Sequence, residues 1–72
     1  MKTKIQLVKE WLLEGKPITP AIALRKFGYS RLGAGIHRLR EKGMNIKTEI
    51  TEGYDRRGQK VRFATYTLVK DN

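Results

Sequence analysis

The chain has no cysteine, a single histidine, two prolines and only seven acidic residues among its 72. Without cysteine there is neither a disulfide nor a thiolate metal ligand to hold a small fold. One histidine excludes a multi-histidine metal site, so packing has to hold the structure and no cofactor is expected. A chain of this length lies near the lower limit at which a hydrophobic core suffices. Trp11, Phe27, Phe63 and the tyrosines are therefore expected to supply much of the buried area. No apolar run is long enough to cross a membrane. The N-terminal apolar stretch Ile5–Leu13 is broken by Gln6, Lys9 and Glu10, unlike a signal peptide. The expectation is a soluble cytoplasmic protein with a single domain over residues 1–72, no membrane partner and no small-molecule ligand.

The shortage of acid leaves sixteen lysines and arginines and a net charge of +9. The excess is uneven. Residues 16–43 hold seven basic residues against one acidic, and residues 55–62 hold four against one. Elsewhere the charges nearly cancel. Solvated lysines that keep a protein in solution are the plainer explanation of a basic chain. Two separated blocks on so small a chain fit an anion-binding face better.

The first block contains Tyr29-Ser30-Arg31-Leu32-Gly33-Ala34-Gly35-Ile36-His37-Arg38-Leu39-Arg40-Glu41-Lys42-Gly43, around which the rest of the chain is arranged. It predicts a short helix over about 30–42, with Ser30 as N-cap and Gly43 just past the end. Arg40 and Lys42 fall in the last turn, where cations suit the helix dipole. Leu32, Ile36 and Leu39 form one apolar stripe, and Arg31, Ala34, His37, Arg38 and Glu41 lie opposite. Gly33 and Gly35 each weaken a helix by roughly 1 kcal/mol relative to alanine. Their expected use is close approach: Gly33 borders the outer face, while a methyl at Gly35 is expected to press on the preceding helix near Ala23. A helix with an anchored back, small residues in its first half and flanking arginines suits the approach of double-stranded DNA.

Upstream, Lys2–Glu14 reads as a helix capped by Thr3 and ended by Gly15, with Ile5, Val8, Trp11 and Leu12 on one side. Leu7 and Leu13 widen its apolar arc. They either rim the core and pack along Trp11, or meet a second copy of the chain in a homodimer through this helix. Ile18-Thr19-Pro20 starts a helix over Pro20–Phe27, with threonine as cap, proline in the first turn, and Ile18 stapled to Ala23. Ala23, Leu24 and Phe27 are expected to face inward and Arg25 and Lys26 outward. Gly28 stops it. Two helices joined by Gly-Tyr-Ser, the second capped and basic, have the spacing of a helix-turn-helix.

After Gly43 the hydrophobic period changes from near 3.6 to 2. Ile46, Thr48 and Ile50 alternate with Lys47, Glu49 and Thr51 as in a half-buried strand, and a second alternating run covers Val61–Val69. Pairing about Arg57 sets Ile46 opposite Leu68, Thr48 opposite Tyr66, Ile50 opposite Ala64 and Glu52 opposite Arg62. The apolar side then falls on one face. The result is a hairpin whose tip, within about 53–61, carries Arg56, Arg57 and Lys60. Three helices followed by such a hairpin make an α+β fold with the element order of a winged helix-turn-helix.

At this point the sequence resembles the small helix-turn-helix proteins of phages and prophages. The resemblance covers most of the chain. It rests on Ile18-Thr19-Pro20, Ala23-Leu24-Arg25 with Phe27-Gly28, Arg31-Leu32 with Ile36-His37, Leu39-Arg40 and Gly43, then Asn45-Ile46 with Thr48-Glu49, and the closing Ala64-Thr65-Tyr66-Thr67-Leu68. It implies DNA binding and places Arg31, His37 and Arg38 on the recognition helix.

No pair of carboxylates has the spacing of an acid/base couple, His37 has no nucleophile or second ligand nearby in sequence, and the glycines at 33 and 35 follow no strand. An enzyme is not expected. The expected DNA-binding set is Arg31, Gly33, Ala34, His37 and Arg38 on the recognition helix, Arg56, Arg57 and Lys60 on the wing, and Lys16, Arg25 and Lys26 on flanking backbone. The function expected is sequence-specific binding of double-stranded DNA by a transcriptional regulator of phage type. An excisionase-like factor that bends DNA, and a winged-helix module that binds another protein, stand as alternatives.

Overall fold

The computed structural model describes residues 2–69; Met1 and residues 70–72, the ends of the expected 1–72 domain, lie outside the described residues. Helices α1 (Lys4–Leu13), α2 (Pro20–Phe27) and α3 (Leu32–Glu41) precede an antiparallel hairpin of β1 (Ile46–Tyr54) and β2 (Lys60–Leu68). This is the expected α+β order.

Each helix has a chemical reason to start or stop where it does. Thr3 and Gln6 cap α1 reciprocally: the Thr3 side chain accepts the Gln6 N–H, and the Gln6 side chain accepts the Thr3 N–H at 2.8 Å. With Thr3 as the cap, Lys2 stands outside the helix. Thr19 likewise accepts the Ile22 N–H ahead of α2, with Pro20 in the first turn. Ile18 before that cap and Ala23 in the second turn are both fully buried. Past α3, Gly43 takes φ +98°, and the N–H groups of Gly43 and Met44 return to the carbonyls of Arg40 and Leu39. A side chain at that φ is strained, which is the need for glycine there.

The core is aliphatic: Val8, Leu12, Ile18, Ala23, Leu32, Ile36, Leu39 and Ile46 are buried. Here the expectation that aromatic rings supply much of the burial fails. Trp11, Phe27, Tyr29 and Tyr66 pack around this cluster only partly buried, and Phe63 and Tyr54 are exposed. Helices of eight to ten residues enclose too small an interior for a whole ring, so the rings roof its perimeter. Trp11 meets Phe27 edge-on at 5.8 Å and donates its indole N–H to the Pro17 carbonyl at the rim.

A second correction concerns Leu24, which is 57% exposed rather than facing inward. The inner arc of α2 runs through Ile22, Ala23 and Phe27. At about 100° per residue Leu24 falls well past that arc.

The strands pair in the expected register, Ile46 with Leu68, Thr48 with Tyr66, Ile50 with Ala64 and Glu52 with Arg62. They run further than expected, so that only Asp55–Gln59 forms the turn. The half-buried character expected of β1 does not hold along its length. Only Ile46 is buried, and Ile50 is 64% exposed. The helical body covers only the base of the hairpin, and the remainder projects beyond it.

Ile18 bridges to Tyr66 through two backbone hydrogen bonds of 2.9 and 2.8 Å. Because the Tyr66 N–H and C=O are turned toward Ile18, Thr48 and Tyr66 form a non-hydrogen-bonded pair. By the same alternation the peptide groups of Ile46, Thr48 and Ile50 face the outer edge of β1.

Candidate nucleic-acid interface

The turn between α2 and α3 sets the site. Gly28, at φ +64°, ends α2, and Tyr29 continues by donating its N–H to the Ala23 carbonyl. The Tyr29 ring then lies on Gly35. A Cβ at Gly35 would stand 2.6 Å from the Tyr29 hydroxyl oxygen and 2.9 Å from Cε2. The nearest atoms that a side chain at Gly35 would meet are thus those of the Tyr29 ring, where the second helix near Ala23 was expected. Gly33, in contrast, has open space where a side chain would go.

The N-terminus of α3 differs from expectation. Arg31, not Ser30, occupies the N-cap position, and its side chain makes no capping bond. The Arg31 carbonyl already accepts the Gly35 N–H at 3.1 Å. The cap therefore falls one residue beyond Ser30, whose hydroxyl makes no capping bond among the described residues. Leu32, Gly35, Ile36 and Leu39 are buried as the inner stripe of α3, while Arg31, Gly33, Ala34, His37, Arg38 and Glu41 are exposed.

The hairpin tip is ordered by Asp55, whose role the charge pattern concealed. Its Oδ1 accepts the backbone N–H groups of Arg57 and Gln59, each at 2.9 Å. The Asp55 carbonyl accepts the Gly58 N–H, and Gly58 stands at φ +79°. Arg56 and Arg57 are thereby presented at the apex of a tight turn. Asp followed three residues later by Gly is a turn signature that marks this role in the sequence.

Apart from Gly33 and Ala34, the nine basic or imidazole side chains of the expected binding set divide into two groups. Three are already engaged with carboxylates: His37 with Glu41 at 2.7 Å, Lys60 with Glu52 at 3.0 Å, and Lys16 with Glu14 at 2.9 Å. Lys16 also lies over the Trp11 ring, 4.6 Å from its centroid. Arg62 joins Lys60 on Glu52 at 3.3 Å, as the register implied. Such exposed pairs are weak, roughly 0–1 kcal/mol, and exchange partners readily. The second group, Arg25, Lys26, Arg31, Arg38, Arg56 and Arg57, pairs with no carboxylate among the described residues. These six occupy the last turn of α2, the start and outer face of α3, and the hairpin tip.

Arg40 was expected only to complement the helix dipole. Its guanidinium donates through Nε and Nη2 to the Ile46 carbonyl, at 3.1 and 2.7 Å, and through Nη2 to Thr48 Oγ1 at 2.6 Å. The principal acceptor is a backbone carbonyl on another element. No spacing of side chains in the sequence marks it.

A three-helix body whose last two helices meet through a short turn, followed by a projecting hairpin with a basic tip, defines a winged helix-turn-helix. The model of the winged helix-turn-helix domain family matches residues 4–71, and the chain belongs to that family. No curated protein and no solved structure matches it. Membership implies DNA binding. No helix among the described residues is long and apolar enough to cross a membrane.

Proposed function

We propose that the chain, as a single domain, binds double-stranded DNA sequence-specifically and acts as a transcriptional regulator of phage type. In this reading α3 enters the major groove, with Arg31 and Arg38 reaching base edges and His37 in polar contact beside them. Gly33 and Ala34 allow the backbone to come close. Arg56, Arg57 and Lys60 meet phosphate or the minor groove, and Lys16, Arg25 and Lys26 contact flanking phosphates. The observation that carries the reading is that, among the described residues, the basic side chains without carboxylate partners gather at the end of α2, on and beside α3 and at the hairpin tip, with only Lys4 and Lys9 elsewhere, on α1.

Gel shifts with a selected duplex and with random duplexes, each at two salt concentrations, test it. A selected site should be preferred, and affinity should fall steeply with salt on both kinds of duplex. Equal affinity for all duplexes, with bending and cooperative filling of adjacent sites, points instead to an architectural, excisionase-like factor. Binding that is flat with salt removes DNA and favours a protein partner.

A further inference from the structure

The hairpin is gripped at its base on both edges. On the β2 edge, Ile18 holds Tyr66 through two backbone bonds. On the β1 edge, where the peptide groups of Ile46 and Thr48 face outward, Arg40 of α3 takes the Ile46 carbonyl and the Thr48 hydroxyl. Beyond this point no hydrogen bond or ion pair among the described residues joins the hairpin to the body, and Lys47–Glu52 are all exposed. From Thr48 to the end of β1 is about 20 Å at roughly 3.3 Å per residue. A rotation of about 10° at the base would therefore carry the tip about 3 Å, enough to break a phosphate contact made there.

We propose that Arg40 is a positioning residue that locks the hairpin to α3, so that the tip and the recognition helix meet one duplex in a fixed relative setting. The proposal rests on the DNA-binding reading above. Arg40 belongs by sequence to the basic block, yet all its Nε and Nη2 donors are directed inward to β1. A planar fork suits that arrangement: two N–H groups converge on one carbonyl while a third reaches the hydroxyl. Lysine keeps the charge and lacks the fork. The two roles open to Arg40, a charge for DNA or a clamp for the hairpin, therefore separate under Arg40→Lys.

The test uses the full chain. Because it has no cysteine, spin labels placed through His37→Cys and Arg57→Cys report the setting of the tip relative to α3 without DNA. A narrow distance distribution is expected with Arg40, broadening by several ångströms in Arg40→Lys. Thr48→Val, which alters no charge, should broaden it in the same direction and carries the test if Arg40→Lys does not fold. On unlabelled protein, Arg56→Ala with Arg57→Ala should weaken DNA binding about tenfold in the presence of Arg40. The same pair should cost less than about threefold in the Arg40→Lys background, where the tip is already misplaced. An unchanged distance distribution in the folded variants, or the same tenfold cost in both backgrounds, overturns the proposal. If the parent protein shows no salt-dependent DNA binding, the functional reading fails on its own. The label distances then still decide whether Arg40 clamps the hairpin.

Discussion

The ring of Tyr29 lies so close to Gly35 that a single added methyl would come within 2.6 Å of its hydroxyl oxygen. This contact joins the turn of the helix-turn-helix to the inner face of α3. It gives two glycines in one helix opposite mutational signs.

Gly35→Ala should lower stability. Helix propensity favours alanine by about 1 kcal/mol, but displacing the packed ring costs about 1–3 kcal/mol as overpacking, and the second effect wins. The check is a thermal melt of Gly35→Ala alone and combined with Tyr29→Ala. With the ring gone, the alanine at 35 should become neutral or favourable.

Gly33→Ala should raise stability by up to about 1 kcal/mol, because its methyl meets open space. In a chain of this size that is a gain of about 4–8 °C in Tm. Gly33→Leu should melt near the parent temperature and bind DNA more weakly. Undiminished affinity in Gly33→Leu would remove this surface from the interface.

Substitutions on the two parts of the surface should differ in kind. Arg56→Ala with Arg57→Ala should weaken all duplexes by similar factors, and Arg38→Ala should lower the preference for the selected site over random sequence. Gel shifts on both duplexes measure this, and an equal loss on both for Arg38→Ala would count against its reading bases. For the parent, neutralising about six to eight phosphates would make the slope of log affinity against log salt about −5 to −7.

Asp55 offers a prediction whose sign electrostatics alone gets wrong. Removing a carboxylate from a basic tip should strengthen DNA binding. Asp55→Ala should nevertheless weaken it, by removing the acceptor of the Arg57 and Gln59 N–H groups and loosening the turn that presents the arginines. Asp55→Asn keeps an acceptor oxygen and loses the charge, so it should bind more tightly than the parent. Affinities of the two variants at one salt concentration decide it.

Local chemistry was legible in the sequence and reach was not. Thr3, Thr19 and Gly43 marked helix ends because each acts on a backbone within a few residues of itself. The strand register followed from period-2 alternation and the Glu52–Arg62 pair. Ile50 departs from expectation because periodicity gives the direction of a side chain and not whether another element covers it, and Leu24 because the inner arc of α2 is centred on Ile22, Ala23 and Phe27. Ser30 missed its cap by one residue, a shift that only the Arg31–Gly35 hydrogen bond fixes. Arg40 and the Tyr29–Gly35 contact were hidden for a related reason. One depends on a distant backbone carbonyl, and the other on the angle at which two helices meet.

The bridge between Ile18 and Tyr66 also bears on how the molecule is made. It closes a loop containing α2, α3 and nearly all of the hairpin, so the body cannot be completed by its helices alone. On a ribosome the three helices would emerge with the Ile18 peptide group unpaired, waiting for β2. A chain ending before Tyr66 should therefore lack a cooperative melt altogether, although every helix is present. The hairpin that projects from the body is, at its root, what closes the fold.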